Sequence, residues 1–246
     1  MLMNKILITI ILLFIGFVSF GQVAQSRYIT IKDGKSDEFL AAAEKKTQLY
    51  NSKEGQTRFY TFRITTGPRT GDLFRARVED SIKYFDNTNP KELEYWMNNV
   101  AEYQSSSNNQ IWWKANNASY SATNESKPQR RIIVYTIKSG FGSDFWRFRN
   151  RVKIAVEESE ADIIMSVWNC FSGCDGNVVR VSFSHNNHDE LYKDNNIEWP
   201  KVVAKYNELY GNGSYEEDIS DLNSSLEMYG RTTVHMERID ELSSPF

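Results

Sequence analysis

The chain has 246 residues, of which 29 are lysine or arginine and 32 are aspartate or glutamate, giving a formal net charge of −3. This mildly acidic balance argues against nucleic acid as a partner, because it provides no basic field to hold a phosphate backbone. The length suits one large domain or two small ones, and 6 tryptophans and 14 phenylalanines supply apolar surface for a substantial core.

The first 21 residues have the features of a secretory signal peptide. Lys5 supplies a positive charge, residues 6–20 form an unbroken apolar run, and Ser19 and Gly21 are small residues at the expected cleavage point. The run is shorter than the ~20 residues that a membrane-spanning helix needs. We therefore predict a periplasmic or secreted protein that has no membrane association once the signal is removed.

Only two cysteines occur, Cys170 and Cys174, and they flank a short Phe-Ser-Gly segment. Asp175 and Gly176 follow, and an Asp-Gly pair between two apolar runs is a strong hairpin signal. Export would place these cysteines in an oxidising compartment, where disulfides form and persist. The pattern predicts a disulfide that closes this turn.

The sequence contains an internal duplication. Three groups of matched positions keep their order and nearly constant spacing: residues 30–32 with 136–138 at an offset of 106, Gly71 and Arg75 with Gly176 and Arg180 at 105, and residues 96–101 with 199–204 at 103. Offsets that differ by only one to three residues indicate short loop insertions or deletions between two ancestral copies. Self-similarity at a fixed period predicts two structural units of one kind.

Each copy has the pattern of a β-α-β-β-α-β unit, the order of ferredoxin-like folds. The predicted strands of the first copy are residues 28–32, 58–65, 73–78 and 110–122, and those of the second are 132–138, 163–170, 178–184 and 232–239. We predict a first unit over residues 22–120, a linker over 121–130 and a second unit over 131–246. The predicted fold class is α+β, with two tandem ferredoxin-like units packed as an intrachain pseudo-dimer.

This layout resembles the dimeric α/β-barrel superfamily, through its element order and duplication, over residues 27–115 and 131–240. That group includes small cofactor-free monooxygenases, stress-responsive barrel proteins and haem enzymes resembling chlorite dismutase. The resemblance implies that the two halves press their helix-free sheet faces together, as two chains do in a homodimer of this group.

Strand alternation sorts residues 73–78 onto two faces. We expect Phe74, Ala76 and Val78 to lie under the helices, and the opposite face to line a cleft between the sheets. The predicted ligand-binding residues in that cleft are Arg63, Arg75, Arg77, Trp168 and Arg180. Arginines there would bind a carboxylate or sulfate with two hydrogen bonds. The alternative is that they are solvated, or paired with carboxylates such as Glu79.

A separate hypothesis concerns the three histidines. His185, His188 and His235 could supply nitrogen ligands to zinc or iron, although their spacing matches no established motif. One of them could also serve as the axial ligand of a haem, as the resemblance to chlorite dismutase implies.

No catalytic motif is recognisable, so we expect an exported, non-catalytic protein that binds a small, anionic ligand in the inter-sheet cleft without a cofactor. It would be a monomer or a homodimer. Two alternatives stay open. One is an oxygenase-type or haem-type enzyme of the dimeric α/β-barrel group, and the other is a surface interaction module that uses exposed aromatic residues such as Trp112 and Trp113.

Overall fold

The computed structural model describes residues 22–123 and 126–245, and the predicted signal peptide lies outside the described residues. The first half contains β1 (Val23–Ile31), α1 (Ser36–Tyr50), β2 (Tyr60–Ile64), β3 (Leu73–Glu79), α2 (Pro90–Asn99), β4 (Gln104–Ser107), β5 (Gln110–Lys114) and β6 (Tyr120–Ser121). The second half contains β7 (Gln129–Ile137), α3 (Gly142–Glu158), β8 (Ile164–Ser172), β9 (Asn177–His185), α4 (His188–Lys193), α5 (Trp199–Tyr210), α6 (Ser214–Ser224) and β10 (Leu226–Arg238). Short 3₁₀ segments lie at Ile82–Asp86, Ala101–Tyr103, Asn116–Ala118 and Asp240–Leu242, and a π-helical turn at Asp194–Glu198 leads into α5.

Eight of the described strands form a closed antiparallel barrel. They follow the order β3-β2-β10-β7-β9-β8-β5-β1, and β1 pairs with β3 to close the ring. The short strands β4 and β6 pair with β1 and β8. Closure removes the unpaired strand edges that an open sheet would expose. The chain therefore has an α+β architecture, as predicted, with helices outside a barrel.

The two halves contribute four barrel strands each, in corresponding order. The first half runs β2-β3-β1-β5 and the second runs β8-β9-β7-β10, and the halves join where β2 pairs with β10 and β5 with β8. The division into two units with a linker at residues 121–130 stays a prediction. Strand β7 already begins at Gln129, inside that predicted linker.

The register of β3 corrects the predicted faces of the first half. Leu73 packs with Phe39 and Trp96 under the helices, whereas Phe74 packs with Tyr28 inside the barrel. The expectation that Phe74, Ala76 and Val78 lie under the helices is wrong. Ile29 pairs with Leu73 and Tyr135 pairs with Val179, and both pairs correspond at an offset of 106. The offset of 105 used for β3 was one residue short, and a one-residue slip moves every side chain of a strand to the other face.

The two halves differ in how completely their helices cover the sheet. In the second half, α3, α5 and α6 bury an apolar core that includes Phe145, Val152 and Tyr206. The corresponding core of the first half is smaller and lies under two helices, α1 and α2. Space is consequently left between the first-half sheet and its helices.

The predicted disulfide is confirmed, because Cys170 and Cys174 are bonded across the turn that joins β8 to β9. Within residues 22–123 and 126–245, no helix has both the length and the apolar character needed to cross a bilayer.

Candidate functional site

A cavity of about 350 Å³ lies between the outer face of the first-half sheet and helices α1 and α2. This volume falls within the ~300–1,000 Å³ of typical small-molecule sites. Strands β1 and β3 form its floor, and the polar segments 87–89 and 107–109 form an exposed rim. Leu93 and Trp96 of α2 contribute apolar wall.

The charge of this cavity is strongly positive. Among the described residues that line it, four side chains are cationic: Arg27 of β1, Lys46 of α1, and Arg75 and Arg77 of β3. They face one carboxylate, Glu92 of α2. Charges buried without equal compensation are costly, so a cavity of this composition favours an anionic ligand.

Arg75 is the deepest of these cations, with 2% of its surface exposed. Its Nη1 donates to the Thr61 hydroxyl oxygen at 2.6 Å and to the Leu242 carbonyl oxygen at 2.8 Å. Its Nε and Nη2 are buried and make no hydrogen bond. Burial, followed by repulsion from Arg27, lowers the pKa of Arg75 to about 9, which leaves it charged at neutral pH.

Lys46 lies beside Arg75 and is almost completely buried. Its Nζ donates to Asn51 Oδ1 at 2.6 Å and to Glu92 Oε1, and it lies 4.5 Å from the centre of the Phe59 ring. Burial is the largest effect on this amine and repulsion from Arg75 is the next, and together they lower its pKa to about 7. The Glu92 carboxylate opposes that shift without cancelling it.

The remaining two cations occupy more peripheral positions. Arg27 stacks over Trp96 at 4.1 Å, and burial lowers its pKa to about 10. Arg77 donates to the Tyr84 carbonyl oxygen, and its Nε lies 3.3 Å from the Glu79 carboxylate. The alternative weighed for these arginines, pairing with Glu79, therefore holds for Arg77.

The five predicted ligand-binding residues do not share one cleft. Arg75 and Arg77 line the cavity on the helix side of the sheet, and Arg63 is exposed on the outer surface. Trp168 and Arg180 lie inside the barrel, within or against the cluster that contains Trp112. The prediction of a single inter-sheet cleft is wrong, because the barrel interior is filled by side chains.

Arg180 illustrates this filling. Its Nη2 donates to Tyr28 Oη and to Gln110 Oε1, both at 2.9 Å, and its guanidinium lies 4.0 Å from the Trp112 ring centre. These contacts reach across the barrel, since β9 is not adjacent to β1 or β5. Arg180 is therefore engaged in packing the interior.

The three histidines lie apart from the cavity. His188 Nδ1 contacts Gln129 Oε1 and His235 Nδ1 contacts the Thr66 hydroxyl, while His185 is buried at the end of β9. Burial, then repulsion from His235, lowers the pKa of His185 to about 4. No set of three or more histidine, cysteine or acidic side chains in the described part of the chain is arranged to hold a metal ion.

The aromatic pair predicted for an interaction module is not an exposed patch. Trp112 is 2% exposed, and its Nε1 donates to the Ser26 hydroxyl oxygen inside the barrel. Trp113 is half-buried and meets the edge of Phe171. The expectation that both tryptophans are exposed is wrong.

Several cavity residues were missed in the sequence: Arg27, Lys46, Phe59, Glu92 and Trp96. For Lys46, a signal was present. Phe39 and Ala43 define the apolar stripe of α1, and position 46 continues that stripe at helical spacing. A lysine on the buried face of a helix indicates a functional or paired charge.

Comparison with known proteins supports the fold. No protein-family model matches the sequence, and no curated protein matches it either. Among solved structures, a proposed monooxygenase from Lactobacillus acidophilus NCFM has 13% identity and a TM-score of 0.57, covering 89% of this chain and 94% of its own. An anthrone oxidase-like protein has 6% identity and a TM-score of 0.52, covering 93% and 98%. A mutant chlorite dismutase from Candidatus Nitrospira defluvii has 6% identity and a TM-score of 0.54, covering 90% and 93%.

These similarities identify the fold as the dimeric α/β barrel, as the sequence predicted. They also correct two expectations. The non-catalytic ligand-binding protein is contradicted, because the structures with this fold are named as monooxygenase, oxidase and dismutase proteins. The expectation of no cofactor is contradicted as well, because chlorite dismutases bind haem.

The residues of the cavity do not fit a haem. Haem iron takes an axial histidine, cysteine, methionine or tyrosine. None of the described residues that line the cavity is of these types, and the cavity's donors are instead arginine and lysine nitrogens that carry or share protons.

Proposed function

We propose that the chain is an oxygenase-type enzyme whose substrate binds in the cavity between the first-half sheet and helices α1 and α2. The observation that carries this proposal is the buried Arg75 beside Lys46, an amine with a pKa of about 7. A desolvated lysine next to a second cation is a common way to prepare a general base for work near neutral pH.

The chemistry assigned to these residues is proton removal and anion stabilisation. A substrate with an acidic C–H or O–H group would lose its proton to the neutral amine of Lys46. Arg75 and Arg27 would stabilise the electron-rich anion that results. Such an anion donates electrons to O₂, and a methylene group is converted with the net balance R₂CH₂ + O₂ → R₂C=O + H₂O.

Glu92 and Asn51 have a positioning role in this proposal. Both accept hydrogen bonds from Lys46, so they hold its Nζ at the cavity wall. Asn51 Nδ2 also donates to Glu92 Oε1 at 3.0 Å, which completes a three-residue network. The network orients the amine while burial and Arg75 keep its pKa low.

The test is oxygen consumption by the purified chain with a panel of phenols, anthrones and 1,3-dicarbonyl compounds, followed by detection of label from ¹⁸O₂ in the product. We expect turnover with at least one acidic substrate, and loss of most of kcat in Lys46→Met. Lys45→Met is the matched control, because Lys45 is the exposed neighbour of Lys46 on the same helix. Turnover that is unaffected by Lys46→Met would contradict the assignment.

Three further properties belong to this proposal. We propose that the barrel is an intrachain pseudo-dimer of tandem ferredoxin-like units, supported by the corresponding strand order of the two halves.

Export through residues 1–21 is proposed from their sequence alone. Because one chain closes the barrel, either a monomer or a homodimer is compatible with it, and light scattering of the purified protein distinguishes the two.

A further inference from the structure

The unpaired nitrogens of Arg75 lie on one edge of its guanidinium group. The Nε–H and one Nη2–H bond of an arginine point in parallel, and together they form the edge that binds the two oxygens of a carboxylate. In Arg75, both of these nitrogens are buried and without a hydrogen-bond partner. A buried donor that is left without a hydrogen bond is costly, and more so when the group is charged, so a ligand that satisfies two such donors gains substantially.

The rest of the guanidinium is already occupied. Its Nη1 is held by Thr61 and Leu242, and Thr61 is itself fixed because its backbone N–H donates to the Ser243 hydroxyl oxygen at 2.9 Å. The Phe59 ring centre lies 4.5 Å from its central carbon, and Trp96 lies at 5.8 Å. The donors that Arg75 leaves free for a ligand therefore lie on its Nε–Nη2 edge, and the contacts of Nη1 hold the guanidinium in place at the cavity.

We infer that the substrate is a flat aromatic molecule that carries a carboxylate, and that this carboxylate accepts two hydrogen bonds from the Nε–Nη2 edge of Arg75. The inference rests on the proposed function and specifies its substrate class. The carboxylate would lie at the floor of the cavity. The aromatic body would extend between Phe59 and Trp96 towards the polar rim.

The composition of the cavity favours a carboxylate over a dianionic phosphate. The Glu92 carboxylate lies inside the cavity and already uses hydrogen bonds of Lys46 and Asn51. A second negative charge on the ligand would increase its repulsion from Glu92. A planar group with two oxygens matches the available edge of Arg75.

Binding is tested by isothermal calorimetry and thermal shift on the purified chain, with benzoate and 2-naphthoate as probes at millimolar concentration. Benzamide and inorganic phosphate are the chemical comparisons. We expect both aromatic carboxylates to bind and to raise the melting temperature. Binding of benzamide as tight as that of benzoate, or no shift with either carboxylate, would overturn the inference.

Arg75→Lys keeps the positive charge and removes the two-donor edge. We expect it to weaken binding of the aromatic carboxylates on the order of 10- to 100-fold, the loss of one bidentate, charge-assisted contact. Arg63→Lys is the matched control, because Arg63 is exposed on the same sheet outside the cavity. If folding of Arg75→Lys is impaired by circular dichroism, Arg27→Lys at the cavity wall provides the second variant, with a smaller loss expected. Equal affinities in wild type and in folded Arg75→Lys would contradict the role of this edge, and equal affinities in wild type and in Arg27→Lys would contradict binding of the carboxylate in this cavity.

The two proposals fail differently. If aromatic carboxylates bind through Arg75 but no acidic substrate supports oxygen consumption, the carboxylate site is supported and the oxygenase proposal is refuted. If the chain consumes oxygen with an uncharged substrate and Arg75→Lys does not change that rate, the oxygenase proposal is supported and the inference of a carboxylate substrate is refuted.

Discussion

Phe74 and Arg180 occupy corresponding positions in the two halves of the barrel and meet in its interior, with the guanidinium carbon 5.1 Å from the ring centre. Phe74 pairs with Tyr28 and Arg180 pairs with Val134, so both partners correspond at an offset of 106. One half supplies an aromatic face and the other a cation at the same strand position. The contact between this ring and this cation helps to fill the barrel interior. The ligand-sized cavity lies instead under the helices of the first half.

The interior contact of Arg180 predicts a stability effect. Arg180→Ala removes hydrogen bonds to Tyr28 and Gln110 and opens a void beside Trp112, so we expect a loss of about 2–4 kcal/mol in the free energy of unfolding. Arg180→Met should cost less, because methionine refills the volume and removes a buried charge. Urea unfolding measures both. The exposed Arg63→Ala should stay within about 0.5 kcal/mol of wild type, and an Arg180→Ala variant as stable as Arg63→Ala would contradict the packing described.

The proposed base predicts a pH dependence. Lys46 has a pKa lowered to about 7 in the folded chain, and only its neutral amine accepts a proton. The value of kcat/KM should therefore rise roughly tenfold per pH unit below pH 7 and level off above it. Stopped-flow or oxygen-electrode rates from pH 5.5 to 9 provide the measurement. The rise of kcat/KM with pH should disappear in Lys46→Met and remain in Lys45→Met, whose substituted residue is exposed. A wild-type kcat/KM that does not change with pH would refute Lys46 as the base.

We predict that the disulfide hairpin supports the cavity rim. Gly173 has a φ of +81°, and a Cβ atom there would overlap the carbonyl oxygen of Asn109, which is part of the rim. Gly173→Ala should destabilise the fold by more than Gly34→Ala, because Gly34 has a similar φ of +70° but open space around it. It should also weaken binding of the aromatic carboxylate. Thermal unfolding and calorimetry of the two variants test this, and equal behaviour of both would show that the hairpin does not brace the rim.

Acid stability should depend on His185. Its folded pKa is about 4, below the ordinary value of 6.5, so the unfolded chain takes up a proton first as the pH falls. The contribution of His185 to the free energy of unfolding is complete above pH 6.5 and decreases as the pH falls towards 4. At pH 5, about 2 kcal/mol of it has been lost. Asp194, whose pKa burial raises to about 6, contributes with the opposite sign.

Unfolding at pH 7.5 and pH 5 measures this effect. His185→Gln should lose less stability on acidification than wild type does. His188→Gln serves as the control, because His188 is exposed. An unchanged pH dependence in His185→Gln would show that another group carries it.

The sequence by itself was sufficient for the features that depend on local pattern. The order of strands and helices, together with the repeat, resembles the dimeric α/β-barrel superfamily, and that resemblance implied the fold. The spacing of Cys170 and Cys174 around a turn predicts their disulfide. Periodicity and turn chemistry act over a few residues, so they can be read without coordinates.

Only the tertiary structure decided which side chains meet. Side chains alternate along a strand with a period of two, so an error of one residue in alignment placed Arg75 on the wrong face. The cavity combines Arg27, Lys46, Arg75 and Glu92 from two strands and two helices, up to 65 residues apart. Their proximity follows from how the helices pack on the sheet, and burial, which only packing determines, produces the shifted pKa of Lys46.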